Sequence, residues 1–326
     1  MAGESAGRDH IELLLEVARA YYDDDRGQAE IARDIGYSRS TVSRLLTEAR
    51  ARGVVRILIA HPLERQMALE KALIERFGLR SARVAGVEPD LSPLTSVAQA
   101  GAEVLVEACR RATVLATSAG TTIHALVQEL PLLALRELHV VQMIGSLARS
   151  NPHVDSIDTT RRIAERLGGD YRLMPAPLIV GSARLARALR HEEAVANAIA
   201  LASHADVALV GIGAMSAQGV SGEIFAGWLT PEESAMLVRL GAVGHLSGHH
   251  FDAQGRHIRT ELCDRVMSVP LERLREIRSV IGVATGEEKV AAIVGAVRGG
   301  YLDVLVTDAP TAQAVLRADE AAAASR

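Results

Sequence analysis

QAEIARDIGYSRSTVSRLLTEARARG, residues 28 to 53, contains two short helical patterns around a glycine, and its register decides how the amino-terminal part of the chain folds. With Gln28 as the first position of a twenty-residue helix-turn-helix window, Ala32 falls fifth, where a small side chain lets two helices cross closely. Gly36 falls ninth, where the turn needs a positive φ. Val42 and Leu45 fall fifteenth and eighteenth, on the inward face of the second helix. Ile31 and Ile35 supply the apolar face of the first helix, and Ser38 is a good N-cap for a second helix running to about Arg50. Upstream, IELLLEVARAYY reads as a supporting helix with the DDD run as its exit. Downstream, Gly53 ends the second helix and VVRILIA reads as a short strand, a wing.

In this arrangement the residues opening the second helix point outward, and a helix presented in this way enters the DNA major groove. The expected base- and backbone-contacting set is Gln28, Ser38, Arg39, Ser40, Thr41, Ser43 and Arg44, with Thr47 also able to reach a phosphate. Charge agrees with this reading. From Arg33 to Arg56 six arginines stand against Asp34 and Glu48, a net +4 over 24 residues in a chain whose total is −4. The overall acidity argues against indiscriminate coating of nucleic acid, and the local basic stretch argues for one specific contact face. A helical hairpin with a solvated arginine face is the alternative.

The 326 residues suit a small first domain, residues 1–61, and a larger one, residues 62–326. Apolar residues make up 48% and aromatics only 3%, which favours helices packed on a buried parallel sheet over an aromatic nucleic-acid platform. No apolar run approaches the roughly 18 residues of a membrane helix, and the N-terminus lacks a signal-peptide pattern, so a cytoplasmic location is expected. Cys109 and Cys263 lie far apart without ligand spacing, and both read as small buried apolar residues.

Beyond Pro62, LERQMALEKALIERFGL is an amphipathic helix. Strand and helix patterns then alternate: TVLATS with TTIHALVQEL, LHVVQMIGS with SIDTTRRIAERLGG, YRLMPAPLIV with a helical region over 182–203, then DVALVGIG, SVIGVATG with EEKVAAIVGAVRGG, and LDVLVTD with PTAQAVLRADE. This is the signature of an open, largely parallel α/β domain. Ligands of such sheets bind beyond the carboxyl ends of the strands.

Two of those turns carry candidate chemistry. In TVLATSAGTTIHAL, Ser118-Ala119-Gly120 link a strand to a helix opened by Thr121 and Thr122. Backbone N–H groups, hydroxyls and the positive helix end could hold an anion there; threonine N-capping of the helix explains the same residues. The Walker pattern GxxxxGK is absent, which disfavours a nucleoside triphosphate. In SVIGVATGEEKV, Lys289 is one of only two lysines among 36 basic residues. It sits in a first helical turn, at the unfavourable end of the dipole, where Glu287 and Glu288 or an anionic ligand would compensate it. The two acids also oppose any lowering of its pKa, which disfavours an imine-forming amine and leaves a charged phosphate anchor or a salt-bridged surface residue.

GIG at 211–213 lacks the third glycine of a dinucleotide fingerprint. His245, His249, His250 and His257 read as loop histidines with no i, i+4 pair on a predicted helix, and no metal or other cofactor is expected. Asp252 is a candidate for sugar hydroxyls, or a turn-forming aspartate.

With these residues in view, the chain resembles the SorC-type sugar-binding transcriptional regulators, whose effector domain is DeoR-like. The likeness runs from Leu13 to Leu316 through the helix-turn-helix stretch, TSAGTT, VVQMIGS, LMPAPLIV, DVALVGIG, GAVGHLSGHHFD and ATGEEKVAAIVGAVRGGYLDVLVTD. The resemblance implies a winged helix-turn-helix followed by an effector domain related to sugar-phosphate isomerases and deaminases. It also implies operator DNA and a phosphorylated sugar as partners, and tetramers built as dimers of dimers. It assigns phosphate contacts to Gly120, Thr121, Thr122 and Lys289 and sugar contacts to Gln142 and Asp252. The sequence departs from the family pattern at Ala119 (usually bulky), His245 (usually acidic), Ser146 (usually glycine) and Ala309 (often acidic). Ile144 stands where some relatives carry an imine-forming lysine. An active isomerase or deaminase with a DNA-binding appendage is the alternative function; His249 or His250 with Asp252 is the best acid–base pair the sequence offers.

Overall fold

The computed structural model describes residues 2–55, 62–86, 90–147, 155–215, 225 and 229–324. The chain divides into two compact units, residues 1–61 and 62–326. In the first unit, α1 (Ala2–Tyr22), α2 (Gln28–Asp34) and α3 (Arg39–Ala51) enclose a small core in which Leu14, Val17, Ile31, Ala32, Val42, Leu45, Leu46 and Ala49 are buried. Ala32, Val42 and Leu45 thus lie inside, as their window positions require. Gly36 takes φ 74°, a left-handed turn that a β-carbon would strain. Ser38 caps α3 by accepting a hydrogen bond from the Thr41 N–H at 3.1 Å. The wing expected over 54–60 falls mostly outside the described residues; Val54 and Val55 form a bend, with the Val55 N–H bonded to the Ala49 carbonyl.

The second unit runs α4 (Pro62–Phe77), β1 (Ser81–Ala85), α5 (Pro93–Cys109), β2 (Val114–Thr117), α6 (Thr121–Glu129), β3 (His139–Gln142), α7 (Ser156–Leu167), β4 (Asp170–Arg172), α8 (Ala183–His191), α9 (Glu193–Ser203), β5 (Val207–Gly211) and β6 (Gly213–Ala214). It continues through α10 (Pro231–Arg239), β7 (Ala242–Leu246), β8 (His249–Asp252), β9 (Ser279–Val283), α11 (Val290–Arg298), β10 (Val304–Asp308) and α12 (Ala309–Ala324). Among the described residues seven strands form one parallel sheet in the order β1-β10-β9-β5-β2-β3-β4.

Successive strand residues face opposite sides, and the two cores follow that alternation. Leu115, Val140, Val207, Leu209, Ile281, Val283, Val304 and Val306 pack with α5, α6 and α7. Ala116, Val141, Ala208, Val210, Val280 and Leu305 pack on the other face with Ile293 and Ala296 of α11 and Ala312 and Val315 of α12. Covering both faces with helices is what lets a parallel sheet be apolar throughout.

Three local features depart from the sequence reading. The helical region over 182–203 is broken at Glu192, whose ψ of 130° separates α8 from α9. Glu287–Lys289 is a 3-10 turn leading into α11 rather than its first α-helical turn. The stretch from Gly241 to Asp252 is not a loop but an antiparallel hairpin, β7 with β8, extended by β6 into a three-stranded sheet. Consequently His245, His249 and His250 are buried rather than solvated. No helix among the described residues is long and apolar enough to cross a membrane.

Candidate functional site

The strand order reverses direction between β2 and β5: from β2 the chain proceeds outward to β3 and β4, and from β5 it proceeds the opposite way to β9 and β10. A crevice is therefore expected at the carboxyl ends of β2 and β5. A cavity of about 400 Å3 lies there. The β2–α6 turn contributes Ala119, Gly120, Thr121 and Thr122, the end of β5 contributes Gly211 to Gly213, and the turn after β9 contributes Thr285, Glu288 and Lys289. Two stretches more than 160 residues apart in sequence, each expected to bind phosphate, thus wall one cavity.

The backbone fits the purpose. Gly120 is the N-cap of α6 with φ 132°, a conformation that a side chain strains, so no side-chain cap occupies the helix start. Threonine N-capping, the bland explanation of TSAGTT, is not what the helix uses. The first N–H groups of an α-helix have no intrahelical acceptor and its N-terminus carries partial positive charge, so this turn is chemically suited to an anion. Ser118 does not line the cavity. It is buried, its N–H bonds the Leu209 carbonyl at 3.0 Å and its Oγ accepts from the Gly211 N–H at 3.2 Å, so it ties the ends of β2 and β5 together.

The opposite wall is held by β10. Asp308 accepts from the Thr285 hydroxyl and from the N–H and hydroxyl of Thr311, and Thr311 Oγ1 accepts from the Gly286 N–H at 3.0 Å. This network fixes the turn from which Lys289 enters the cavity. Lys289 is half-buried, and burial pushes its ammonium below the usual lysine range, partly offset by the Glu288 carboxylate. Desolvation therefore outweighs the acidic neighbours, the reverse of the sequence-based expectation. Glu288 faces the same space, where a carboxylate opposes an anion but suits sugar hydroxyls.

His245 and Leu94 also line the cavity, and sequence reasoning assigned neither a contact. The His245 ring lies directly against Gly213, and it packs edge-on to Phe225 with centroids 4.9 Å apart. Two of the family-pattern departures, Ala119 and His245, are thus cavity wall. Ile144 is not: it is fully buried in the core.

Gln142 and Asp252, expected to face a sugar, are not brought to this cavity. The Gln142 carboxamide is fully buried; its Nε2 donates to the Ile144 carbonyl at 2.7 Å and to Ser156 Oγ at 2.9 Å, and its Oε1 accepts from the Met174 N–H at 2.9 Å. Its hydrogen-bonding capacity is spent on internal cross-links. Gln142→Ala should leave the Met174 N–H and Ile144 carbonyl unsatisfied, each costing about 1–3 kcal/mol. Urea unfolding should therefore show a loss of at least about 2 kcal/mol; weakened ligand affinity at unchanged stability would restore the sugar-contact role. Asp252 closes its own turn, accepting from the N–H groups of Gln254 and Arg256 at 2.9 Å and from Arg256 Nε at 2.7 Å. It is the turn-forming aspartate.

In the first unit, Arg39, Ser40, Ser43 and Arg44 are exposed at the start of α3, while Gln28 is half-buried at the start of α2. Neither Arg39 nor Arg44 has an ion-pair partner among the described residues, in contrast to Arg52, which pairs with Glu48 at 2.7 Å. The hydroxyl of Thr41 lies 2.8 Å from Ser38 Oγ, and that of Thr47 donates to the Ser43 carbonyl at 3.0 Å. These threonines are engaged in capping and back-bonding, and the two arginines are the uncommitted cations of the helix start.

A second cavity, of about 820 Å3, is lined by His249, His257, Cys263, Ser268 and Glu272 among others. Cys109 is an inert buried thiol that burial pushes up to about 12. Cys263 is not: burial works against it, but the adjacent imidazoles of His249 and His257 hold its thiol down to about 5. His250, buried behind them, is pushed well below the usual histidine range by burial and by its histidine neighbours.

A three-helix unit with free arginines at the start of its third helix, joined to a parallel α/β unit with a switch-point cavity, is the build of a ligand-responsive DNA-binding regulator. The comparisons agree. The family described as "Putative sugar-binding domain" matches residues 61–317. The chain belongs to this family of SorC- and DeoR-like sugar-binding transcriptional regulators. It is 32% identical to the deoxyribonucleoside regulator of Bacillus subtilis over 311 residues, covering 95% of this chain and 98% of that one. It is 31% identical to the transcriptional regulator LsrR of Escherichia coli K12, covering 94% and 95%. The crystal structure of the full-length sorbitol operon regulator SorC from Klebsiella pneumoniae superposes with a TM-score of 0.72 at 31% identity, covering 94% of this chain and 99% of that one.

Proposed function

We propose that a phosphorylated sugar binds the switch-point cavity, its phosphate held by the first turn of α6 (Gly120, Thr121, Thr122) and by Lys289, and that occupancy changes the affinity of residues 28–53 for operator DNA. The observation that carries this reading is the meeting of a helix N-terminus without a side-chain cap and a desolvated lysine across one cavity. A half-buried, partly desolvated ammonium offset only by Glu288 is less favourable alone than once an anion arrives. Glu288 and His245 supply the sugar-facing polar groups, and the departure at His245 sets which sugar is preferred. Arg39 and Arg44 read base edges, and Gln28, Ser38, Ser40, Thr41 and Ser43 contact the adjacent backbone. Two half-sites require a dimer at least, and the tetramer implied by the family resemblance would supply it. The protein acts in the cytoplasm, where its operator is.

Regulation rather than turnover is supported by the same geometry. The acid–base pair that an isomerase would need, His249 or His250 with Asp252, is dispersed: Asp252 is bound by its own turn, His250 is buried, and His249 bonds Ser268 at 2.9 Å. The relatives named above are regulators.

The test is a thermal-shift screen of the full chain with sugar phosphates and their unphosphorylated counterparts. A ligand at 100 times its dissociation constant stabilises by about 2.7 kcal/mol, roughly 5–10 °C for a unit of this size. A phosphorylated sugar should give that shift and its dephosphorylated form should not. Equal shifts from both, or none from any, would count against a phosphate site.

A further inference from the structure

From the second cavity we infer a site for a thiolate-binding divalent transition metal, zinc above all, built from His249, His257 and Cys263. It is independent of the sugar site, since none of its residues lines the switch-point cavity. One ligand atom from each of the three residues lies within 4.8 Å of the others. In tetrahedral zinc with Zn–N near 2.05 Å and Zn–S near 2.3 Å, a nitrogen and a sulfur ligand stand about 3.5–3.6 Å apart. His257 Nε2 and Cys263 Sγ stand 3.6 Å apart, already at that edge length. The two imidazoles meet nearly perpendicular, at 83° with centroids 5.2 Å apart, so both can turn a nitrogen toward a common point.

Three further details fit a metal better than a hydrogen-bonded cluster. His249 is only 6% exposed, and its Nδ1 has no hydrogen-bond partner among the described residues. A buried ring nitrogen left without a partner is costly, and a metal bound by it removes that cost. Each imidazole is also oriented through its other nitrogen, His249 Nε2 by Ser268 Oγ at 2.9 Å and His257 Nδ1 by Glu272 Oε1 at 3.0 Å. This is the outer-shell support that metal-binding histidines show, carboxylate to histidine included. Finally, Thr260 Oγ1, also buried and without a partner among the described residues, lines the same cavity, which leaves room for a water or this hydroxyl as fourth ligand. A nitrogen, nitrogen and sulfur donor set selects zinc-like ions over calcium or magnesium. Bound there, the ion would staple β8 to the turn at His257 and to the 3-10 helix Cys263–Arg265, fixing a segment with little regular structure of its own.

Cobalt(II) serves as the spectroscopic probe on the full chain after chelator treatment. One equivalent should produce a thiolate-to-cobalt charge-transfer band with tetrahedral d–d bands, both abolished by one equivalent of zinc. Cys263→Ser should lose the charge-transfer band and Cys109→Ser should keep it. Should Cys263→Ser misfold, the wild type still decides: with Cys109 buried, maleimide labelling reads Cys263, and zinc should slow it at least tenfold. Absence of the cobalt band in the wild type, its survival in folded Cys263→Ser, or labelling unaffected by zinc would overturn the site.

Discussion

Arg44→Ala is expected to weaken binding to the cognate operator by between about fivefold and 150-fold per half-site, while leaving binding to a scrambled duplex nearly unchanged. The range follows from the roughly 1–3 kcal/mol that one bidentate arginine–guanine contact contributes to discrimination. Arg44 is exposed on the outward side of α3, has no ion-pair partner among the described residues, and sits between Val42 and Leu45, whose burial fixes the helix rotation. Adding Arg39→Ala should roughly double the free-energy loss if the two arginines read separate base pairs. Because the loss is in base reading, the dependence of log K on log salt should keep its slope; an arginine that touched only phosphate would reduce it by about 0.9. Fluorescence anisotropy with both duplexes at two salt concentrations separates these outcomes. An equal loss on both duplexes would move Arg44 from base reading to backbone positioning.

Lys289→Ala should lower sugar-phosphate affinity by about ten- to hundredfold, from the roughly 1.5–3 kcal/mol of a hydrogen bond to a charged group. The effect on the fold has the opposite character. A lysine pKa that is lower in the folded than in the unfolded chain means that the charged form costs stability at neutral pH, a cost that disappears as pH rises above the folded-state value. Removing the side chain should therefore leave the unfolding midpoint unchanged or slightly raised without ligand. Calorimetric titration and urea unfolding of the same variant test the two halves together. A variant that loses stability and retains affinity would make Lys289 a structural residue.

How much of this was legible depended on how locally each feature is encoded. The helix-turn-helix could be read completely, because Ala32, Gly36, Ser38, Val42 and Leu45 fill requirements set within twenty residues. The walls of the switch-point cavity were legible in two halves, each a strand-to-helix turn, but not their meeting, which depends on β5 lying between β9 and β2. Leu94, Glu288 and His245 reach the cavity through that topology, and only a fold places them there. Gln142 and Asp252 lie outside the cavity, each held by hydrogen bonds that no local sequence pattern reveals. Gln142 spends its amide on residues as far along the chain as Met174, and no pattern around VVQM reveals that. The trio His249, His257 and Cys263 escaped for a related reason: the ligands come from a strand, a turn and a 3-10 helix, so no regular spacing marks them.

The proposed coupling of the sugar-phosphate cavity to the operator-reading helix is a free energy that can be measured directly. Operator affinity of the wild-type protein should be titrated with and without the sugar phosphate that gives the largest thermal shift, alongside Lys289→Ala. The wild-type operator dissociation constant should change at least tenfold, equivalent to about 1.4 kcal/mol of differential binding, and that of Lys289→Ala should not change at the same ligand concentration. An operator affinity that ignores the bound sugar phosphate in the wild type would contradict the coupling.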